Sequence, residues 1–166
     1  MPNTPVHQIH PIAPLFSDRS EILILGSFPS VQSRKDAFFY AHPQNRFWKT
    51  VAGVFGQPVP QTVAEKKELI LSNRLALWDV IASCEITGSS DNSISGAVPT
   101  DLSVILDRAP IRRIFLNGKT AERVYRRYQF PRTGIEAVCL PSTSPANASW
   151  SQERLLQAWM KLREPF

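Results

Sequence analysis

A three-layer α/β/α domain with a central, mainly parallel four-stranded sheet is the fold class this sequence predicts, and three observations carry that reading. Ile22-Leu23-Ile24-Leu25 is apolar without alternation, as a strand covered on both faces is, and Leu75 to Val80, Arg112 to Asn117 and Ile135 to Leu140 add three more short apolar runs. Segments of helical spacing lie between these runs, so strands alternate with helices. The stretches after the first, second and fourth runs are polar and contain Gly or Pro. In a parallel sheet they fall along one edge, where ligands bind beyond the carboxyl ends of the strands.

The 166 residues, 43% of them hydrophobic, suit one domain with a real core: the expected organisation is a single domain over 1–166, with 1–18 as an extended N-terminal arm. No apolar run is long enough to cross a membrane, and MPNTPVHQIHPIAPLF lacks the basic start and apolar centre of a signal peptide. A cytoplasmic location is expected, at the nucleoid in a bacterium, with no membrane contact. Cys84 and Cys139 have no metal-site spacing and read as buried free thiols, so neither a metal nor a cofactor is expected. Nineteen Lys and Arg against fourteen Asp and Glu give a net charge of +5, which favours a polyanionic partner.

In chain order, the Pro-rich segment to Phe16 predicts an extended path over the surface, and the first strand runs from about Glu21 to Leu25. GSFPS then turns the chain, and Val31 to Ala41 has no helical face and reads as an irregular loop. Asn45 to Phe55 predicts a helix through Phe47, Trp48, Val51, Ala52 and Phe55, ended by Gly56 and Pro58. Thr62 to Ser72 predicts another, with Thr62 as N-cap and Glu65 in capping-box position. The second strand ends on Asp79, and Ser83 to Ala97 reads as a long polar loop. Thr100 is expected to cap a helix running to Arg108. After the third strand, Lys119 to Tyr128 predicts a helix. The fourth strand leads through PSTSPAN to a final amphipathic helix, Gln152 to Leu162, with Leu155, Leu156, Trp159 and Met160 inward.

Few residues announce chemistry. His42 is a general acid or base by type, though fixing its own loop through the local backbone is the preferred reading. GSFPS and FLNGKT lack the glycine spacing of a phosphate loop, and no G-x-S-x-G elbow occurs. Tyr40 reads either as a stacking platform for a base or as packing, and Asn45 either as a site residue or as a plain N-cap. Arg112, Arg113, Lys119, Arg123, Arg126, Arg127 and Arg132 cluster around the third strand and its helix. Arg123, Arg126 and Arg127 would share one side, as a solvated face or a phosphate-reaching one.

Taken together, GSFPS, YAHPQNRFWK, ALWDV, FLNGKTA and PSTSPANAS resemble the motifs of the uracil-DNA glycosylase superfamily, most closely its hypoxanthine-DNA glycosylase branch, and span Leu25 to Ser149. The resemblance implies a monofunctional enzyme that hydrolyses the N-glycosidic bond of a deaminated base, hypoxanthine above all, in double-stranded DNA, leaving an abasic site for base excision repair. A monomer is expected. Two departures from relatives matter: Phe28 stands where mismatch-specific enzymes carry a water-activating Asn, and Ser142 where uracil enzymes carry a His. Uracil or mismatched thymine as substrate, or a DNA-binding domain without catalysis, are the alternatives. By resemblance Asn45 is the catalytic residue and Ser27, Phe28 and Tyr40 contact the base, as does Asp79, for which an N-cap is an equal alternative. Ser142, Ser144, Pro145, Ala146 and Asn147 belong to the loop that enters the DNA and fills the vacated stack, with Asn147 the expected wedge because Ala146 is small.

Overall fold

The structure, a computed structural model, describes residues 4–165. Its strands run in chain order as Val6–Ile9 (β1), Ile22–Gly26 (β2), Leu75–Asp79 (β3), Ile81–Ile86 (β4), Ser95–Pro99 (β5), Arg113–Asn117 (β6) and Ala137–Leu140 (β7). The α-helices are Val31–Asp36 (α1), Phe47–Val54 (α2), Val63–Ser72 (α3), Ser103–Leu106 (α4), Lys119–Val124 (α5), Phe130–Thr133 (α6) and Gln152–Trp159 (α7). The central sheet is parallel, in the order β3-β2-β6-β7, as the apolar runs predict.

β2 is buried along its whole length, and its side chains divide between two cores. Ile22 and Ile24 pack with Phe47, Val51, Ile70, Leu155 and Trp159 of α2, α3 and α7. Leu23 and Leu25 pack with Ile105, Ala121, Val124 and Tyr125 on the opposite face. An apolar residue at every position is what a strand between two covered faces requires, each buried Leu or Ile contributing about 1.5–3 kcal/mol. Helices on both sides of a parallel sheet make the three-layer arrangement.

A second, three-stranded antiparallel sheet, β1-β4-β5, lies where the sequence reads as an N-terminal path and a polar loop. Ser83 to Ala97 is therefore not one long loop. β4 buries only Ile81, Cys84 and Ile86, and β5 leaves most of its residues at the surface, so neither strand carries a strong apolar pattern.

Other elements also depart from the sequence reading. Val31 to Ala41 contains α1 because the Ser30 hydroxyl caps it by accepting from the Ser33 N–H, and Ala37 ends it in the left-handed region. The helix expected from Thr100 to Arg108 shrinks to α4. Thr100 turns its hydroxyl to the Asp79 carbonyl instead, and the Asp101 carboxylate accepts from Ser103 N–H. α5 ends at Val124 and widens into a π-helical stretch, Tyr125–Gln129. There Gln129 donates to the Val80 and Thr100 carbonyls, and Tyr125 donates to the Ile135 carbonyl. α7 passes into a 3₁₀ turn, so Met160 is exposed and Leu162 takes the core position. Cys84 and Cys139 are free thiols; Cys84 is buried, but Cys139 is only half-buried.

Candidate active site

The carboxyl ends of the parallel strands open into a cleft of about 1220 Å³. Its lining includes Ser27 and Phe28 after β2, Tyr40, His42 and Asn45 before α2, Asp79 at the end of β3, and Ser142, Ser144, Pro145, Ala146 and Asn147 after β7. All ten site residues expected from the sequence therefore share one space. The strand register accounts for much of this, since Gly26 pairs with Asp79 across β2 and β3, and Asn117 pairs with Leu140 across β6 and β7.

The floor is crowded around Gly26. A Cβ placed there would lie 2.5 Å from Asp79 Oδ1 and 2.8 Å from the Tyr40 hydroxyl oxygen, so glycine is what lets these two groups converge. The Asp79 side chain is almost wholly buried, and its Oδ2 is 2.7 Å from His10 Nε2. Tyr40 has a left-handed φ of 50°, lays one ring face on Phe47 at 4.0 Å and lines the cleft. Its hydroxyl is buried, and among the described residues no group meets it in good hydrogen-bond geometry. Burial first, then the nearby Asp79 charge, pushes this phenol far above its ordinary range, the Asn117 side chain opposing only part of the shift, so it keeps its proton.

Asn45 closes the HPQN segment. The backbone N–H of Asn45 donates to the His42 carbonyl, and its side-chain Oδ1 accepts from the Phe47 N–H at 2.9 Å. The oxygen thus serves the start of α2, and the residue lines the cleft. His42 accepts from the Gln44 N–H through Nδ1, which is the loop-fixing role. The next residue, Arg46, donates its guanidinium to the Asn147 and Trp150 carbonyls, and its backbone N–H to the Thr143 carbonyl, joining the Asn45 segment to the final loop.

That final loop is braced from within. Asn117 donates to Thr143 Oγ1 and accepts from the Thr143 N–H, and Asn147 donates its side chain to the Ser142 carbonyl. Pro145 and Ala146 stand exposed at its tip. On the opposite rim Ser27 donates its hydroxyl to the Asp91 carboxylate, at 2.9 Å to one oxygen. The protein packed around Asp91 holds that carboxyl above the usual range, against the lowering effect of Ser27.

The family model of the uracil DNA glycosylase superfamily matches residues 13–163. The chain belongs to this superfamily. Among relatives, the hypoxanthine DNA glycosylase of Methanosarcina acetivorans is 34% identical over 145 residues, 84% of this chain and 89% of its own. The hypoxanthine DNA glycosylase of Methanosarcina barkeri is 30% identical over 139 residues, 81% of this chain and 85% of its own. The solution NMR structure of a candidate uracil DNA glycosylase from Methanosarcina acetivorans superposes with a TM-score of 0.78 at 29% identity, covering 95% of this chain and all of that one. The superfamily match and both relatives support a DNA glycosylase.

Within this superfamily member, sequence reasoning missed His10, Arg46, Asn117 and Asp91. Asn117 had a signal, because it ends an apolar strand on a polar side chain as Asp79 does. His10 and Asp79 are 69 residues apart, and the Arg46 contacts reach about a hundred residues along the chain, so no local pattern reveals them. Among the described residues no group of three or more His, Cys, Asp and Glu could hold a metal, and no helix is long and apolar enough to cross a membrane.

Proposed function

We propose that this chain is a monofunctional glycosylase that hydrolyses the N-glycosidic bond of hypoxanthine in double-stranded DNA, acting as a monomer and leaving an abasic site. The observation that carries the reading is Asn45, its amide oxygen held by the Phe47 N–H, lining the same cleft as Tyr40 and Asp79. The names of the two archaeal relatives point to the same base.

In this scheme the flipped nucleotide enters between Tyr40 and the loop at 142–147. The Asn45 amide donates to the departing base, where negative charge develops as the bond to C1′ stretches. Asp79 Oδ1 accepts from N1–H of hypoxanthine, and the Ser27 and Phe28 backbone walls the base. Water attacks the oxocarbenium-like C1′, the C1′–N9 bond breaks, and the proton that water loses ends on the released base. Pro145 and Ala146 fill the vacated stack, with Ser142, Ser144 and Asn147 shaping the loop beneath them. Phe28 offers no polar group to activate water, and Ser142 no imidazole, which disfavours uracil as the main substrate.

Duplexes containing a single inosine, xanthine, uracil or G·T mismatch, incubated with the protein and then with alkali, test this. Strand scission is expected at inosine first. Tight binding with no scission on any duplex would leave a DNA-binding domain without catalysis; scission at uracil alone would reassign the substrate.

A further inference from the structure

His10 sits outside every motif that carries the proposed function, yet it makes a 2.7 Å polar contact with the cleft floor. The backbone N–H of Ile12 donates to His10 Nδ1 at 3.2 Å, so Nδ1 is an acceptor and the ring proton lies on Nε2. Nε2–H then donates to Asp79 Oδ2 at 2.7 Å. The ring stands edge-on to Phe28 and Trp78, with centroids 5.8 and 6.3 Å away, and the His10 backbone is tied to the Ala82 carbonyl. Few positions in the molecule are held from so many sides.

We propose that His10 is a positioning residue that sets base preference by pinning Asp79 Oδ2, so that Oδ1 faces the cleft as an acceptor. The inference rests on the reading of Asp79 as a base contact. Deamination of adenine replaces an N1 lone pair by an N1–H donor. A fixed acceptor rewards that donor and repels the lone pair, so the His10–Asp79 couple selects the lactam edge. Hypoxanthine, xanthine and uracil carry this edge; adenine and cytosine do not. A site built to pair with a donor rejects the analogue lacking it strongly, because its own buried group is left unpaired. The couple does not separate hypoxanthine from guanine, which shares the edge.

The pinning has a specific consequence for Asp79→Asn. His10 Nε2–H would hold the new amide by its oxygen and present Nδ2–H₂ to the cleft, turning an acceptor into a donor. Single-turnover excision of inosine is therefore expected to fall about 100-fold in Asp79→Asn. In the double variant with His10→Phe the amide is free to turn, and part of the rate should return. His10→Phe alone should lose about 10-fold or more, with affinity for a duplex bearing an abasic-site analogue unchanged, and His10→Gln, which keeps a donor, should recover it. A fold defect would instead lower excision and abasic-site affinity together. Independently of any variant, the parent protein should fail on 1-methylinosine, which has no N1–H. Equal excision of inosine and 1-methylinosine by the parent overturns the inference, as does His10→Phe with the parent's rate. A parent protein inactive on inosine would overturn the proposed function itself, and the inference with it.

Discussion

Asn45 is placed so that one amide serves both folding and the proposed chemistry, and the two roles separate by substitution. Its oxygen accepts from Phe47 N–H at the start of α2, and its nitrogen is the donor that the proposed chemistry uses. Asn45→Asp keeps the accepting oxygen and removes the donor; Asn45→Ala removes both. Asn45→Asp is expected to melt within a few degrees of the parent while excision drops on the order of 100- to 1,000-fold, the usual effect of losing one donor aimed at developing negative charge. Asn45→Ala should lose the same activity and in addition about 1 kcal/mol of stability, read by chemical denaturation. Full activity in Asn45→Asp would reduce the residue to a helix-start acceptor. Gly26 gives a second test on the same floor. A Cβ there meets Asp79 Oδ1 at 2.5 Å, and the His10 bond keeps Asp79 from giving way. Gly26→Ala should cost about 1–3 kcal/mol and most of the excision rate; a Gly26→Ala protein with parental stability would mean that the floor repacks freely.

A local cap makes a helix legible only where a sustained run follows it: α3, ten residues long, was readable from its capping box, whereas α1, six residues long, was not, although Ser30 caps it in a similar way. Thr62 Oγ1 accepts from Glu65 N–H, and the Glu65 carboxylate accepts from the Thr62 and Gln61 N–H groups, three bonds made within five residues. The Gln61 and Thr62 N–H groups hold the Glu65 carboxyl below its usual range. A folded-state value below the unfolded one means that the contribution is present above the ordinary carboxylate pKa and is lost as pH falls through the folded value. Melting curves of the parent and Glu65→Gln should therefore differ at pH 7 and converge as the pH drops below about 4. A difference that stays constant down to pH 3 would contradict the capping role. Neither β4 nor β5 has such a local device: β4 pairs on one side with distant β1, its register with β5 is irregular, and neither strand alternates cleanly between buried and exposed residues. The π-helical widening at Tyr125–Gln129 was illegible for the same reason, being set by distant carbonyls at Val80 and Thr100.

At the scale of the whole molecule, the parallel sheet was legible because burial on both faces writes itself as uninterrupted apolar runs, whereas the site was legible only through its motifs. Ser27, Tyr40, Asn45, Asp79 and the loop at 142–147 lie more than a hundred residues apart at the extremes, and the sheet edge brings them together. The supports that fix them, His10 on Asp79 and Asn117 and Arg46 on the final loop, are long-range bonds, and of the three only Asn117, a polar residue ending an apolar strand, leaves a local trace. The net charge of +5 is an excess over internal pairing: Arg126 pairs with Glu122 and Arg74 with Glu21, and each such pair contributes nothing to it. Lys119 and Lys161, by contrast, line the cleft itself. If the cleft takes duplex DNA, a cation at its wall contacts phosphate and releases counterions, a sequence-independent contribution. Lys119→Gln should then weaken binding to inosine-containing and undamaged duplexes alike and reduce the slope of log K against log salt by about 1, while leaving the order of base preference intact. Fluorescence anisotropy between 50 and 200 mM salt, roughly the range over which phosphate-driven affinity falls most visibly, reads both quantities. An unchanged slope would move the phosphate path away from the β6–α5 turn, and a changed base preference would place Lys119 at the base.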